Sequence, residues 1–245
     1  MRRGADAAHI VYGVAATINS AVYVVVLSAG LVQQLGAEAA AVWRQEMEAL
    51  HLGQGMDIDW REKGKCPTEQ EYLWMVAQSA GSLVGAQHVL IFTETGGLFR
   101  LVMRLLQTQA TVNKRLDMSR LAGLLGQLFQ VRDDYLNLTS TSLGKSFCDD
   151  LTEGKFSLPV IHSVRSTPEN SWLVDALREG RGNGMSDERK KEILAWIEST
   201  GSFAYTVRVL ERLAEDTRNE VERIVAGTGR KSEALQGILG LLGKY

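Results

Sequence analysis

Strand-like alternation of apolar and polar residues is nearly absent from this sequence, and proline, cysteine and net charge are also scarce. Each shortage excludes something. Without alternation there is no sheet to build, so the class is all-α. Two cysteines in 245 residues, Cys66 and Cys148, lie too far apart to read as a disulfide framework or a zinc cluster, and a reducing, cytoplasmic setting fits them. A formal charge of −2 gives no electrostatic case for nucleic acid as a partner. With 3 prolines, no Pro/Ser-rich linker, no internal repeat and no low-complexity tract, the chain reads as one domain over residues 1–245.

Charge is also missing from one long run, Ile10 to Gln33. This run is long enough to cross a bilayer, which needs about 20 apolar residues. Arg2 and Arg3 stand before it, as the basic flank of a signal peptide or membrane anchor would. Thr17, Asn19 and Ser20 interrupt it, and no convincing A-x-A cleavage pattern follows. Hydropathy alone leaves both an anchor and a buried helix open.

The stretch with most to say is Gly123 to Leu138, GLLGQLFQVRDDYLNL. Coiled as a helix, it sets Gln130, Asp133, Asp134 and Asn137 at i, i+3, i+4 and i+7. These positions fall within roughly 100° of arc and share a face. Leu124, Leu125, Leu128, Val131, Tyr135 and Leu138 are the positions expected to bury. A stripe of oxygen ligands on an apolar helix suits a hard cation such as Mg²⁺, which takes one or two carboxylates and completes its shell with water and phosphate oxygens. The plain alternative is an acidic pair on the wet side of an amphipathic helix.

The residues that follow, GKSFCDDLTEGKFSLPVIHSV, place Lys145 and Lys155 in glycine-containing loops. Together, FQVRDDYLNL and FCDDLTEGKFSLPVIH resemble the second aspartate-rich motif and following loop of the short-chain trans-prenyltransferases, specifically fungal-type geranylgeranyl diphosphate synthases. The resemblance extends over MRRGADAAHIVYGVAATINSAVY and HLGQGMDIDWR. It implies an isoprenoid synthase-type helical bundle, with the run from Ile10 forming buried core helices of a soluble enzyme and no membrane span. The reaction it implies is condensation of isopentenyl diphosphate with an allylic diphosphate, assisted by Mg²⁺. In this reaction pyrophosphate leaves the allylic substrate, the isopentenyl double bond attacks the carbocation, and a proton is lost.

Carried over residue by residue, the resemblance gives Asp133 and Asp134 a catalytic role. It makes Asp133, Asp134 and Asn137 metal ligands, and assigns Arg2, Arg3, Thr95, Gln130, Lys145 and Lys155 to substrate diphosphate. Guanidinium forks and ammonium groups suit phosphate oxygens. Two departures stand out. Residues 77–94 insert AQSAGSLVGAQHVLIFTE where relatives have a short lysine-ending link, so Glu94 replaces that lysine while Thr95 is kept. The insertion's composition suits neither surface nor core, as in a mis-spliced gene model, with a functional insertion as the alternative. Relatives also carry a first aspartate-rich motif and basic residues upstream of the arginine pair. The sequence opens at that pair, which implies an N-terminally truncated bundle whose turnover is in doubt. A non-catalytic partner of an intact synthase is therefore the second reading, and a terpene cyclase a weaker third. A homodimer, or pairing with a related synthase, is expected.

Elsewhere the pattern predicts a helix over Ala37 to Leu50 and a capping box from Thr68 to Glu71. A further helix is expected over Gly96 to Ala110, with Leu98, Leu101, Val102 and Leu105 facing the core. Pro159 should stand at a helix start or kink. Three terminal helices follow, the last burying Phe203, Val207, Leu210, Leu213 or Ala214, Val221, and Ile224 or Val225.

Overall fold

A computed structural model describes residues 7–77, 94–140, 147–181 and 183–229, with positions 233, 237, 239 and 240 beyond them. Among these residues there is no strand, and eleven helices follow in order. They are α1 (Ala8–Tyr12), α2 (Val14–Gln33), α3 (Ala37–Lys63), α4 (Glu69–Ala77), α5 (Glu94–Gln109) and α6 (Ser119–Thr139). Then come α7 (Asp149–Thr152), α8 (Leu158–Ser166), α9 (Trp172–Gly180), α10 (Asp187–Ser199) and α11 (Ser202–Thr228). The all-α expectation holds.

The helix α6 lies at the centre, packed against α4, α5, α8 and α11. Leu121, Leu125, Leu128, Val131 and Leu138 are buried along it, with Leu124 and Tyr135 half-buried. Its polar stripe is buried too: Gln130, Asp134 and Asn137 all lie inside. A helix enclosed on nearly every side must find partners for such groups.

Local signals account for several boundaries. The capping box forms, with Glu71 N donating to Thr68 Oγ1 at 3.0 Å and Thr68 N to Glu71 Oε2 at 2.7 Å. Those bonds hold the Glu71 carboxyl below its ordinary range. Pro159 sits in the first turn of α8, where its missing N–H costs nothing. The α3 helix runs beyond the predicted Leu50 to Lys63, straight through Gly53 and Gly55. Gly53 is buried there, and packing overrides the weak helix propensity of glycine. The helix ends at Gly64, in the left-handed region at φ 59°.

Two expectations need correction. The α5 face carrying Leu98 and Val102 is exposed. The helix is turned so that Phe99 and Met103 pack on the core, Phe99 edge-on to Phe129 at 6.0 Å, while Arg100 and Arg104 face α3. There Arg100 Nε donates to Glu46 Oε2 at 2.7 Å and Arg104 Nη1 to Glu46 Oε1 at 2.5 Å, with Glu46 and Arg100 both buried. This buried charge sets the helix rotation, so a count of apolar positions misreads it.

The second correction concerns the N-terminal run. The chain buries no residue of α1 or α2. The composition of α2 is that of a core helix, but α2 packs mainly on α1 and α3 and exposes Val14, Ile18, Val22, Tyr23, Val24, Val26, Leu27 and Leu31. By length and composition alone, α2 could cross a membrane.

Candidate active site

The site gathers at the C-terminal end of α6, where α4 and the segment from α7 to α8 close over it. Its centre is Asp134, which has no exposed surface and accepts four hydrogen bonds. Oδ1 accepts from Gln130 Nε2 and Lys155 Nζ, both at 2.8 Å. Oδ2 accepts from Tyr72 Oη at 2.6 Å and from the backbone N–H of Leu158 at 3.2 Å. That last donor is one of the N–H groups that a helix start leaves without an intrahelical partner, so Asp134 also completes the N-terminus of α8.

Lys155 ties the centre to a second, partly buried carboxylate, since its Nζ lies 3.2 Å from Asp150 Oδ2. Burial alone would push the ammonium down, but Asp134 and Asp150 together raise it well above its ordinary value, so it stays charged. Asp150 shows the reverse balance. Burial pushes its carboxyl up to about 6; Lys155 pulls it down, while Asp134 and Asp133 add to the rise. Its own backbone N–H donates to Asn137 Oδ1 at 3.2 Å, which ties α7 to α6. The phenol of Tyr72 is raised well above its ordinary value by burial and the adjacent Asp134, so it remains a donor. Farther out, Arg61 of α3 pairs with Glu153, which bridges α3 to the turn after α7.

The structure thus brings together Gln130, Asp134, Asn137 and Lys155, with Asp133 half-buried on the same turn of α6. Arg2, Arg3 and Lys145, like most of the 77–94 insertion, lie outside the described residues. Thr95 and Glu94 stand in the first turn of α5, their side chains outside what is described. Two members of the site were missed. Asp150 could have been found as a carboxylate at i−5 from Lys155 in the same loop phrase. Tyr72 carries no signal, because YLWMV reads as plain core.

The donor chemistry sets what the site can hold. Asp134 and Asp150 flank the Lys155 ammonium, and Asp133 lies near enough to add to the negative field at Asp150, a field that favours a divalent cation. Asp134 has both oxygens doubly engaged, which fills its four acceptor positions. Among the described residues no three His, Cys, Asp or Glu side chains form a ready metal cage. The residues therefore fit a Mg²⁺ ion held by one or two carboxylates and completed by phosphate oxygens and water, rather than an all-protein site.

The polyprenyl synthetase family model matches residues 1–197. The chain belongs to that family. The match ends in α10, while similarity to individual family members extends over nearly the whole chain. A geranylgeranyl pyrophosphate synthase of Macrophomina phaseolina (strain MS6) is 42% identical over 246 residues, covering 99% of this chain and 69% of that protein. Geranylgeranyl pyrophosphate synthase D of Phomopsis amygdali is 41% identical over 245 residues, covering 98% and 53%. A geranylgeranyl pyrophosphate synthase of Penicillium paxilli is 41% identical over 245 residues, covering 99% and 60%. The chain thus spans between 53% and 69% of these relatives' lengths. The resemblance carried by FQVRDDYLNL and FCDDLTEGKFSLPVIH is a true family relation, and a polyprenyl synthetase is all-α as this chain is.

Proposed function

We propose that this chain provides the diphosphate-binding, second-aspartate-motif side of a geranylgeranyl diphosphate synthase-type prenyltransferase, joining isopentenyl diphosphate to an allylic diphosphate in isoprenoid biosynthesis. The observation that carries this reading is the ammonium of Lys155, clamped between Asp134 of the buried helix α6 and Asp150 of α7. Two of its three N–H donors go to Asp134 and Asp150, and the third is uncommitted among the described residues. With 20% of the side chain exposed, that third donor can take a phosphate oxygen without the amine having to reorganise. Asp133 is the carboxylate best placed to hold Mg²⁺. Asp134 supplies charge behind it, and Asn137 keeps the α7 loop against α6. Mg²⁺, when bound, would neutralise charge on the departing pyrophosphate as a Lewis acid. Arg2, Arg3, Thr95, Gln130 and Lys145 complete the proposed diphosphate contacts, and a cytoplasmic, soluble setting is part of the same proposal.

A second reading is favoured by the exposed apolar surface of α1 and α2. Through it the chain would associate with another copy or a related synthase, whether or not it turns over substrate alone.

Isothermal titration of the 245-residue chain with pyrophosphate tests the main reading. With Mg²⁺ we expect heat of binding that disappears in EDTA and weakens about tenfold or more in Asp133→Asn. Identical titrations with and without Mg²⁺ would overturn it.

A further inference from the structure

We infer that Tyr72 is a positioning residue of the diphosphate site, acting through Asp134 to fix the ammonium of Lys155. The inference rests on the proposed diphosphate-binding role of that site. Tyr72 comes from α4, 62 residues before Asp134 in sequence, and its side chain is buried with its hydroxyl on Asp134 Oδ2 at 2.6 Å. The two oxygens of Asp134 divide their work. Oδ2 faces Tyr72 and the start of α8, whereas Oδ1 faces Gln130 and Lys155. A carboxylate held at one oxygen presents the other at a fixed point. Tyr72 makes the shorter of the two bonds on the Oδ2 side, the Leu158 N–H lying at 3.2 Å. Without the phenol, Oδ2 keeps only that longer bond, and the carboxylate plane can rock further than its four bonds now allow. Lys155 is bonded at 2.8 Å to the opposite oxygen and would rock with it. A cation that must meet a phosphate oxygen loses affinity when its supporting partner is loose, in the way that outer partners of metal ligands matter to the ligands they orient.

The chain contains a second tyrosine–carboxylate bond for comparison, less buried than the first. Tyr205 donates to Glu69 Oε2 at 2.5 Å, so it too is a tyrosine bound to a carboxylate and docked on α4. None of the hydrogen bonds or ion pairs described for this pair reaches Lys155. If tyrosine–carboxylate bonds to α4 serve packing alone, losing either one should leave diphosphate binding equally unaffected.

The experiment is titration of Mg²⁺ and pyrophosphate into wild type, Tyr72→Phe and Tyr205→Phe, well below each variant's melting temperature as followed by circular dichroism. We expect Tyr72→Phe to bind about tenfold more weakly and Tyr205→Phe to bind within about twofold of wild type. Unchanged binding in Tyr72→Phe, or equal losses in both variants, overturns the inference while leaving the site's proposed role standing. No Mg²⁺-dependent binding in wild type overturns both. Should Tyr72→Phe not fold, the proton spectrum of wild type decides: the Tyr72 hydroxyl proton must give a downfield, slowly exchanging signal that shifts when pyrophosphate and Mg²⁺ bind, and an unshifted or absent signal overturns the inference.

Discussion

Replacing Asp150 by asparagine should make this protein more stable at neutral pH, by an amount that the surroundings of Asp150 allow us to work out. Its side chain is 13% exposed and sits among Asp133, Asp134 and Lys155. Burial and the two other carboxylates outweigh Lys155, so the folded carboxyl titrates at about 6 rather than its ordinary 3.8. That difference corresponds to about 3 kcal/mol of unfavourable free energy in the ionised folded state. The sign follows from which state holds the proton more tightly. Because the folded value is the higher one, the folded chain binds the proton more strongly. The penalty is therefore fully present above about pH 6 and shrinks as pH falls through 6 toward the unfolded value.

Asparagine has nearly the same shape and keeps an oxygen for Lys155 Nζ, so Asp150→Asn removes the penalty without removing the contact. Urea unfolding in EDTA should show the variant more stable by on the order of 1–3 kcal/mol at pH 7.5, with most of that advantage gone by pH 4.5. A variant no more stable than wild type at pH 7.5, or one whose advantage persists unchanged in acid, would refute the reasoning. The same substitution subtracts a charge from the cluster, so its stability gain should be accompanied by weaker Mg²⁺-dependent binding, the usual conflict at a functional site.

Two further predictions concern the rest of the fold. Glu46→Ala strands the buried Arg100 between α3 and α5. It should cost about 3–5 kcal/mol in urea unfolding, and a loss below about 1 kcal/mol would show that the pair is not a structural element. The apolar face of α2 should drive self-association of the isolated chain at micromolar concentration in sedimentation experiments, and a monodisperse monomer would count against this.

Much of this molecule could be read from its residues because the relevant forces are local or periodic. The capping box at Thr68 and Glu71, the helix start at Pro159 and the buried face of α11 depend on spacing within a turn or two, and spacing is visible in a sequence. The grouping of Gln130, Asp134 and Asn137 was visible for the same reason. What escaped depends on distant partners. Nothing near YLWMV shows that Tyr72 meets a carboxylate 62 positions later. Nothing in TGGLFRL shows that Arg100 buries against Glu46, which turns Leu98 and Val102 outward. The α2 helix was misread through composition, since apolar residues suit a core without revealing which surface covers them.

The neighbouring aspartates of α6 carry a practical consequence for anyone disabling this protein. One step along a helix turns a side chain through about 100°, enough to put Asp134 wholly inside while Asp133 stays half-exposed. An inert Asp134 variant therefore reports first on whether α4, α6 and α8 still come together. A double substitution cannot distinguish a broken scaffold from a lost ligand. Only a change confined to Asp133, in a chain shown to melt like wild type, speaks to binding.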